Sequence, residues 1–422
     1  MAEETVLTDD LIRQLINVGE VDLLVGLPTH NNAETVGGVV QAIQAGILKC
    51  FPRERTAILN VDAGSKDGTA DVVMASSIND LRRAYNTHAL RTLPSITTRY
   101  AGSPSSETSL HTVLAASDLL RAKACVVISP ESVNIEPGWV DALLRPVYRD
   151  HIDFVTPIYR RPKFEGMLVS NVVYPMMRAL YGQKIREPYP ADFGFSAQLG
   201  NEFLAQHSWR HEAGQFGTEL EMVLSAIAGG RRISQTFLGT KSRSEQHPAD
   251  LVAAMRQTVG VLFASMEVKS PDWTTPHAVT SMPTNGPEYE ITLESVRVNK
   301  KRLSQMFSSG VNELAPVLQS ILTPPTLDAL RQIAALDGDA FRYPAELWAK
   351  TLYEFAASHH KSVMSRDHVV QALVPLYRGR ALTFLVENRV ASAEEVEANI
   401  EALCHEFERL KPYLVDLWNG GK

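Results

Sequence analysis

The sequence has only three cysteines in 422 residues, Cys50, Cys125 and Cys404, far apart and odd in number. That excludes a disulfide framework and leaves no pair at zinc-knuckle spacing, so a reducing compartment and a cytoplasmic location are the expectation. Basic charge is not in excess either. The 41 Lys and Arg stand against 48 Asp and Glu, a net charge of −7, which argues against nucleic-acid binding through a broad basic face. No apolar run approaches the roughly 20 residues of a membrane span, so no membrane span is expected. The opening MAEETVLTDD is acidic where a signal peptide is basic and then apolar, which predicts no leader. Internal repeats and low-complexity tracts are missing too. What is present is ordinary globular composition, 45% hydrophobic and 21% charged, enough for a large core. At roughly 100–200 residues per domain, this length predicts about two or three domains.

The first half reads as alternating strands and helices. Val21–Leu27 is a short apolar run that stops at Pro28, the pattern of a buried strand. Asn31 or Asn32 can cap the helix that follows, in which Val36, Val39, Val40, Ile43 and Ile47 recur at helical spacing. Thr56–Asp62 is the second strand, and a loop with Gly64 and Gly68 leads to a helical stretch, Ala70–Ser77. A strand near Ile96–Tyr100, a helix over Leu110–Lys123 and a strand over Ala124–Ile128 complete a third unit. Such alternation implies right-handed parallel crossovers and a doubly wound sheet, with ligands beyond the carboxyl ends of the strands. Ser270–Glu288, rich in Pro, Ser and Thr, reads as a linker. Beyond it, Leu293–Phe307, Val311–Leu322, Pro344–His359, Arg366–Leu376 and Ala393–Lys411 read as amphipathic helices.

The strand-end loops hold the candidate chemistry. Asp62 closes a strand beside Ser65, Asp67 and Thr69, where a carboxylate can accept from a nucleobase or a ribose hydroxyl; an Asx-turn with a helix cap at Asp67 explains the same residues. Thr29, Asn31 and Glu34 can line the same pocket, with helix capping as the alternative for Asn31. His359 and His360 point to different faces of one helix and make no metal pair.

Pro28-Thr29-His30-Asn31-Asn32 with Glu34, followed by VDAGSKDGT at Val61–Thr69, resembles the opening of GT-A-fold glycosyltransferases, which use nucleotide-sugar donors. Gly166–Ser196, LGTK at Leu238–Lys241, PLYRGR at Pro375–Arg380 and KPYL at Lys411–Leu414 are similar to the mannosylglycerate, glucosylglycerate and glucosyl-3-phosphoglycerate synthase group. The resemblance runs from about Val21 to Trp418. It implies an α/β GT-A domain, Rossmann-like with a mostly parallel sheet, followed by an all-helical C-terminal domain. The limits are then 1–20 for an N-terminal extension, 21–288 for the nucleotide-sugar-binding and acceptor domain and 289–422 for the helical domain.

The implied activity is retaining transfer of glucose or mannose from a nucleoside diphosphate to a small hydroxy acid such as glycerate or phosphoglycerate, in a homodimer. A divalent cation, Mg²⁺ or Mn²⁺, would steady the leaving diphosphate. The family's Asp-X-Asp is degenerate here: Ser129 stands at the first place and Glu131 at the second, the serine as a weak ligand. Arg243 occupies the usual histidine place, where a guanidinium can pair with a diphosphate but cannot bind metal, and His247 four residues on is a substitute ligand. Donor contacts fall on Pro28, Thr29, Asn31, Glu34, Asp62, Ser65, Ser106 and Glu131, with Ser105-Ser106-Glu107 where the group has a Gly-Lys-Gly-type turn. Acceptor contacts fall on Arg186, Ala191, Asp192, Tyr377 and Arg380, with an ion pair between domains as the other reading of Arg380. Asp192 and Glu219 take the catalytic places, with no covalent role assigned. Changes at Ser129, Ser106-Glu107 and Arg243 also support a second reading, a catalytically impaired binding or scaffold protein that keeps the fold.

Overall fold

The run Val21–Leu27 delivers the strand expected of it. In the computed structural model, which describes residues 7–76, 93–100, 106–205, 217–241, 250–293, 299–336 and 340–420, β1 (Leu23–Thr29) is buried along nearly its whole length. It pairs in parallel with β2 (Thr56–Asp62) from Leu23↔Thr56 to Thr29↔Asp62. β3 (Ser95–Arg99) continues the sheet beyond β2, also in parallel. The chain then returns to the other side of β1, where β4 (Ala124–Val127) pairs with it in parallel. With β5 (Phe154–Pro162), β6 (Phe193–Ser196), β7 (Ile233–Thr240) and β8 (Thr284–Asn285), the order is β3-β2-β1-β4-β6-β5-β7-β8. Only β6 runs antiparallel to its neighbours in this order, β4 and β5. Strand order therefore reverses between β1 and β4, and in open α/β sheets the crevice at such a point is where ligands bind.

The apolar spacing read from the sequence packs this sheet. Helix Ala33–Cys50 buries Val36, Val39, Val40, Ile43 and Ile47 in one cluster with Leu23, Val25 and Leu27 of β1 and Trp139, Val140, Leu143 and Leu144 of helix Gly138–Asp150. The two helices approach so closely that a Cβ on Gly46 would strike the Pro137 carbonyl. Cys125 and Cys404 are buried and Cys50 half-buried, all three as free thiols.

The chain divides into two compact units. The sheet belongs to the first, Met1–Arg160 with Tyr189–His247 and Met282–Tyr289; the second takes Arg161–Pro188, Pro248–Ser281 and Glu290–Lys422. In the second unit, helices Lys300–Glu313, Ala315–Ile321, Pro324–Ala334, Ala345–His360, Arg366–Glu387 and Ala393–Trp418 follow one another. Helix Ala393–Trp418 begins in a full capping box, Ser392 with Glu395. Its apolar face carries Val396, Ile400 and Cys404 into a cluster with Tyr174, Phe384 and Ala391.

Three expectations change. Within the expected Leu293–Phe307 helix, the described residues form helix Lys300–Glu313, with the Asn299 side chain accepting from the Arg302 N–H at its start. The stretch Ser270–Glu288, which contains the passage from the second unit to the first between Ser281 and Met282, carries structure of its own. Ser270–Trp273 is a helical turn whose buried Trp273 donates Nε1–H to the Met266 carbonyl, and Thr284–Asn285 is β8. Its Pro, Ser and Thr content masked one large apolar anchor and two strand residues. Finally, among the described residues two helical stretches, Leu251–Val268 and Arg366–Glu387, are long and apolar enough to cross a membrane by length and composition alone, and the second is mostly buried within the protein.

Candidate functional site

The end of β1 and the end of β2 are interlocked. Ala63 N–H donates to the Thr29 carbonyl at 2.8 Å, Asn31 N–H to the Ser65 hydroxyl at 2.9 Å, and Lys66 N–H to the Asn31 side chain at 3.0 Å. Asn31 adopts φ +54°, a left-handed conformation Asn tolerates better than most residues. Asp67 makes the Asx-turn, accepting from Thr69 N–H, but the helix it caps is not the one that follows it: across the loop it accepts from Ala33 N–H in the first turn of helix Ala33–Cys50. Pro28 is half-buried near the end of β1, and Glu34 is exposed in the helix's first turn.

Asp62 sits at the centre of this junction, fully buried. Its Oδ1 accepts from the Thr29 hydroxyl at 3.2 Å and from the Ser65 hydroxyl; its Oδ2 accepts from Ser65 N–H and from Arg99 Nε, each at 3.0 Å. Burial works to raise its pKa, but the hydrogen bonds from Ser65, Arg99 and Thr29 outweigh that and hold it below the ordinary carboxylate value. A carboxylate has about four lone-pair sites, so these contacts saturate it. Asp62 is thus the organiser of the loop, while the exposed Arg99, whose Nη2 also reaches the Ser65 carbonyl, stands over it. Arg99 was not singled out from the sequence. The signal for it is register, because Asp62 and Arg99 are direct partners at the ends of adjacent parallel strands.

The loop after β4 faces this junction across the β1–β4 crevice. Thr35 of helix Ala33–Cys50 donates its hydroxyl to the Pro130 carbonyl at 2.6 Å, tying the two loops together. Ser129 and Glu131 are both half-buried, and the Ser129 hydroxyl oxygen accepts from Glu131 N–H at 3.4 Å. Asp192, at the start of β6, reaches the same loop: its Oδ1 accepts from Ser129 N–H at 2.8 Å. Its Oδ2 accepts from the Tyr159 hydroxyl and from Lys241 Nζ. Asp192 and Lys241 are 0% and 1% exposed, a buried ion pair with charge-assisted bonds that fixes the β4 loop to the ends of β5 and β7. Lys241 is the last residue of LGTK, so the motif was visible while this role was not. Ala191, just before Asp192, is half-buried.

Glu219 lies in the first turn of helix Thr218–Ala228, after Gly217 at φ +98°. The side chain is only partly covered, yet its Oε2 is cut off from solvent and has no hydrogen-bond partner among the described residues. Burial pushes its pKa up to about 7, with its own backbone N–H pulling the other way. The neighbouring Tyr189 hydroxyl is pushed well above its usual value by burial and by the charge on Glu219. A carboxyl poised near neutrality can both give and take a proton. Glu107, at the start of helix Ser106–Leu119, is also raised by burial.

Arg186, Tyr377 and Arg380 belong to the second unit, where each has interior work. Arg186 makes a bidentate pair with Glu397 at 2.8 and 2.9 Å and lies over the Tyr174 ring. Tyr377 is buried beside Trp348. Arg380, 4% exposed, donates to the Asn171 side chain at 3.1 Å and to the Tyr343 carbonyl at 3.3 Å. These partners lie in the second unit, so the structure gives Arg380 a role in tying that unit's own segments together. The Ser106 side chain, Arg243 and His247 lie outside the described residues.

A divalent cation at a nucleotide site keeps several waters and is held by one or two carboxylates together with the substrate's phosphates. Glu131 and the Ser129 hydroxyl would thus supply part of such a ligand set, and His247, the substitute ligand, lies outside the described residues. Among the described residues no three His, Cys, Asp or Glu side chains converge on a point that could hold a metal ion. Asp192, which reaches the same loop through Ser129 N–H, is already paired with Lys241.

No protein-family model matches the chain, and no curated protein does. Among solved structures, it is similar to glucosyl-3-phosphoglycerate synthase from Mycobacterium tuberculosis in complex with Mg²⁺ and uridine diphosphate, with 18% identity and a TM-score of 0.45, covering 63% of this chain and 84% of that one. The same enzyme in complex with phosphoglyceric acid gives 18% and 0.45 over 66% and 87%. A structure described as a mycobacterial protein gives 19% and 0.44 over 65% and 80%.

Proposed function

We propose that this chain is a glycosyltransferase that takes a hexose from a nucleoside-diphosphate sugar in the crevice between the ends of β1 and β4. One observation carries the reading: the loops that the sequence marks for a nucleotide sugar, Thr29–Ser65 and Ser129–Glu131, meet where strand order reverses and are tied by the Thr35–Pro130 hydrogen bond. In this reading Asp62 shapes the loop, Arg99 offers the positive charge beside it, and Glu131 faces the donor. The Asp192–Lys241 pair holds the β4 loop rigid, so Asp192 is a positioning residue. Glu219, in its carboxylate form, takes the proton from the acceptor hydroxyl as that oxygen bonds to the anomeric carbon and the bond from that carbon to the diphosphate breaks. The acceptor is a small hydroxy acid such as glycerate or phosphoglycerate and transfer retains configuration; both rest on the resemblance of the sequence motifs, as does a homodimer, while a cytoplasmic location rests on the few, unpaired cysteines. Glu131, with Ser129, would hold a divalent cation that steadies the leaving diphosphate, a role that rests on the same resemblance.

The changes at Ser129, Ser106-Glu107 and Arg243 favour a second reading, a binding or scaffold protein that keeps the fold without the chemistry. Calorimetric titration with nucleotide sugars, with and without Mn²⁺, separates the two. Binding followed by transfer supports the transferase; binding without product from any donor and acceptor supports the second reading; and no binding at all sinks the first.

A further inference from the structure

In the second unit, helix Ala393–Trp418 presents Glu397, Glu401, Glu408 and Lys411 along one face. The three carboxylates are matched: Glu397 by Arg186, Glu401 by Arg178 and Lys184, and Glu408 by Arg178. Lys411 has no carboxylate among the described residues. It is 9% exposed, and its Nζ donates to the Leu180 carbonyl at 2.8 Å and to the Thr275 carbonyl at 2.9 Å. An ammonium has three N–H donors, so one remains. Lys411 lines a cavity of about 350 Å³ whose walls are largely apolar, with Ala179, Pro276, Val279 and Val415 among them. That volume lies within the range of small-molecule sites, roughly 300–1,000 Å³. Burial pulls the Lys411 amine down to about 8, so it stays largely charged at neutral pH.

We propose that this cavity is a binding site for a small amphiphilic monocarboxylate, whose acid group pairs with the Lys411 ammonium while its apolar body lies against Val279 and Val415. A single negative charge fits, because Arg178 is already neutralised and Glu408 and Asp416, which also line the cavity, oppose a dianion. The inference is independent of the transferase reading. If Lys411 served only to cap the carbonyls of helix Tyr174–Tyr181, the cavity would take no acid.

Calorimetry on the full chain with hexanoate, 1-hexanol and hexyl phosphate tests it. Hexanoate is expected to bind one per chain, with 1-hexanol and hexyl phosphate each at least tenfold weaker. Losing a charge-assisted hydrogen bond costs about tenfold to a hundredfold, so Lys411→Met should lose that much hexanoate affinity. Val279→Trp, at a position 40% exposed, fills the mouth without touching the amine and should lose binding too, which keeps the test valid if Lys411→Met fails to fold. No hexanoate binding at millimolar concentration, equal binding of 1-hexanol, tighter binding of hexyl phosphate, or unchanged affinity in either folded variant would overturn the proposal.

Discussion

Asp62 and Asp192 illustrate what a residue's neighbours do to a role suggested by its position. Both stand at strand ends on the ligand side of the sheet, and both are buried acceptors of internal donors. Removing one partner of a buried ion pair leaves an uncompensated charge, at a cost of about 3–5 kcal/mol. Lys241→Met should therefore destabilise the protein by that order in urea unfolding, and adding Asp192→Asn to it should recover part of the loss. Glu219 predicts a pH signature. Its folded pKa of about 7 lies above the ordinary 4.5, so the folded state holds the proton longer than the unfolded chain. The stability this contributes is complete below about pH 4.5 and is lost as pH rises toward 7. Relative to Glu219→Gln, the wild type should thus lose on the order of 2 kcal/mol across that window, read from parallel urea titrations at several pH values. A flat difference would show that Glu219 titrates normally. Residue types and strand-end positions were legible in the sequence. Their partners were not, because Thr29–Asp62, Ser129–Asp192 and Asp192–Lys241 join positions 33, 63 and 49 apart.

At the scale of elements, periodicity was a reliable guide where one face is buried. β2 matched its expected limits, Thr56–Asp62, because all seven residues are buried. Helix Ala33–Cys50 buries the five positions its spacing named. Reading failed where composition and packing diverge: Trp273 and β8 structure a Pro-rich stretch, and helix Arg366–Glu387 continues through Pro375 beyond the expected Leu376. Strand order, which locates the crevice, follows from pairings no local pattern encodes. One close approach gives a direct test. Gly194, in β6, faces the Leu143 backbone carbonyl of helix Gly138–Asp150, and a Cβ there would collide with it. Gly194→Ala should cost about 2–3 kcal/mol, because a backbone obstacle cannot rotate away. Thermal unfolding reads this, and an unchanged midpoint would mean that the helix can retreat.

For the whole molecule, the sequence led to an α/β sheet region and a helical region, and both are present. The helical unit also gathers residues 161–188 and 248–281, which no linear reading of composition assigns to it. Several basic residues are committed within their own unit. Lys241, Arg178, Arg186 and Arg380 all serve interior contacts, while Arg99, paired with Asp62, and Lys66 are exposed cations at the proposed donor loop. Arg99→Ala should accordingly weaken nucleotide-sugar binding by about tenfold, consistent with loss of a hydrogen bond to a charged group, which calorimetry reads. The central claim is that the β1–β4 crevice transfers a hexose. Its most direct measurement is nucleoside-diphosphate release by the purified protein over a panel of nucleoside-diphosphate hexoses, with glycerate or phosphoglycerate as acceptor. Acceptor-dependent release from at least one donor is expected, abolished by Glu131→Ala in a variant that unfolds like the wild type; absence of product from every donor, or full activity in Glu131→Ala, would rule out hexose transfer in this crevice.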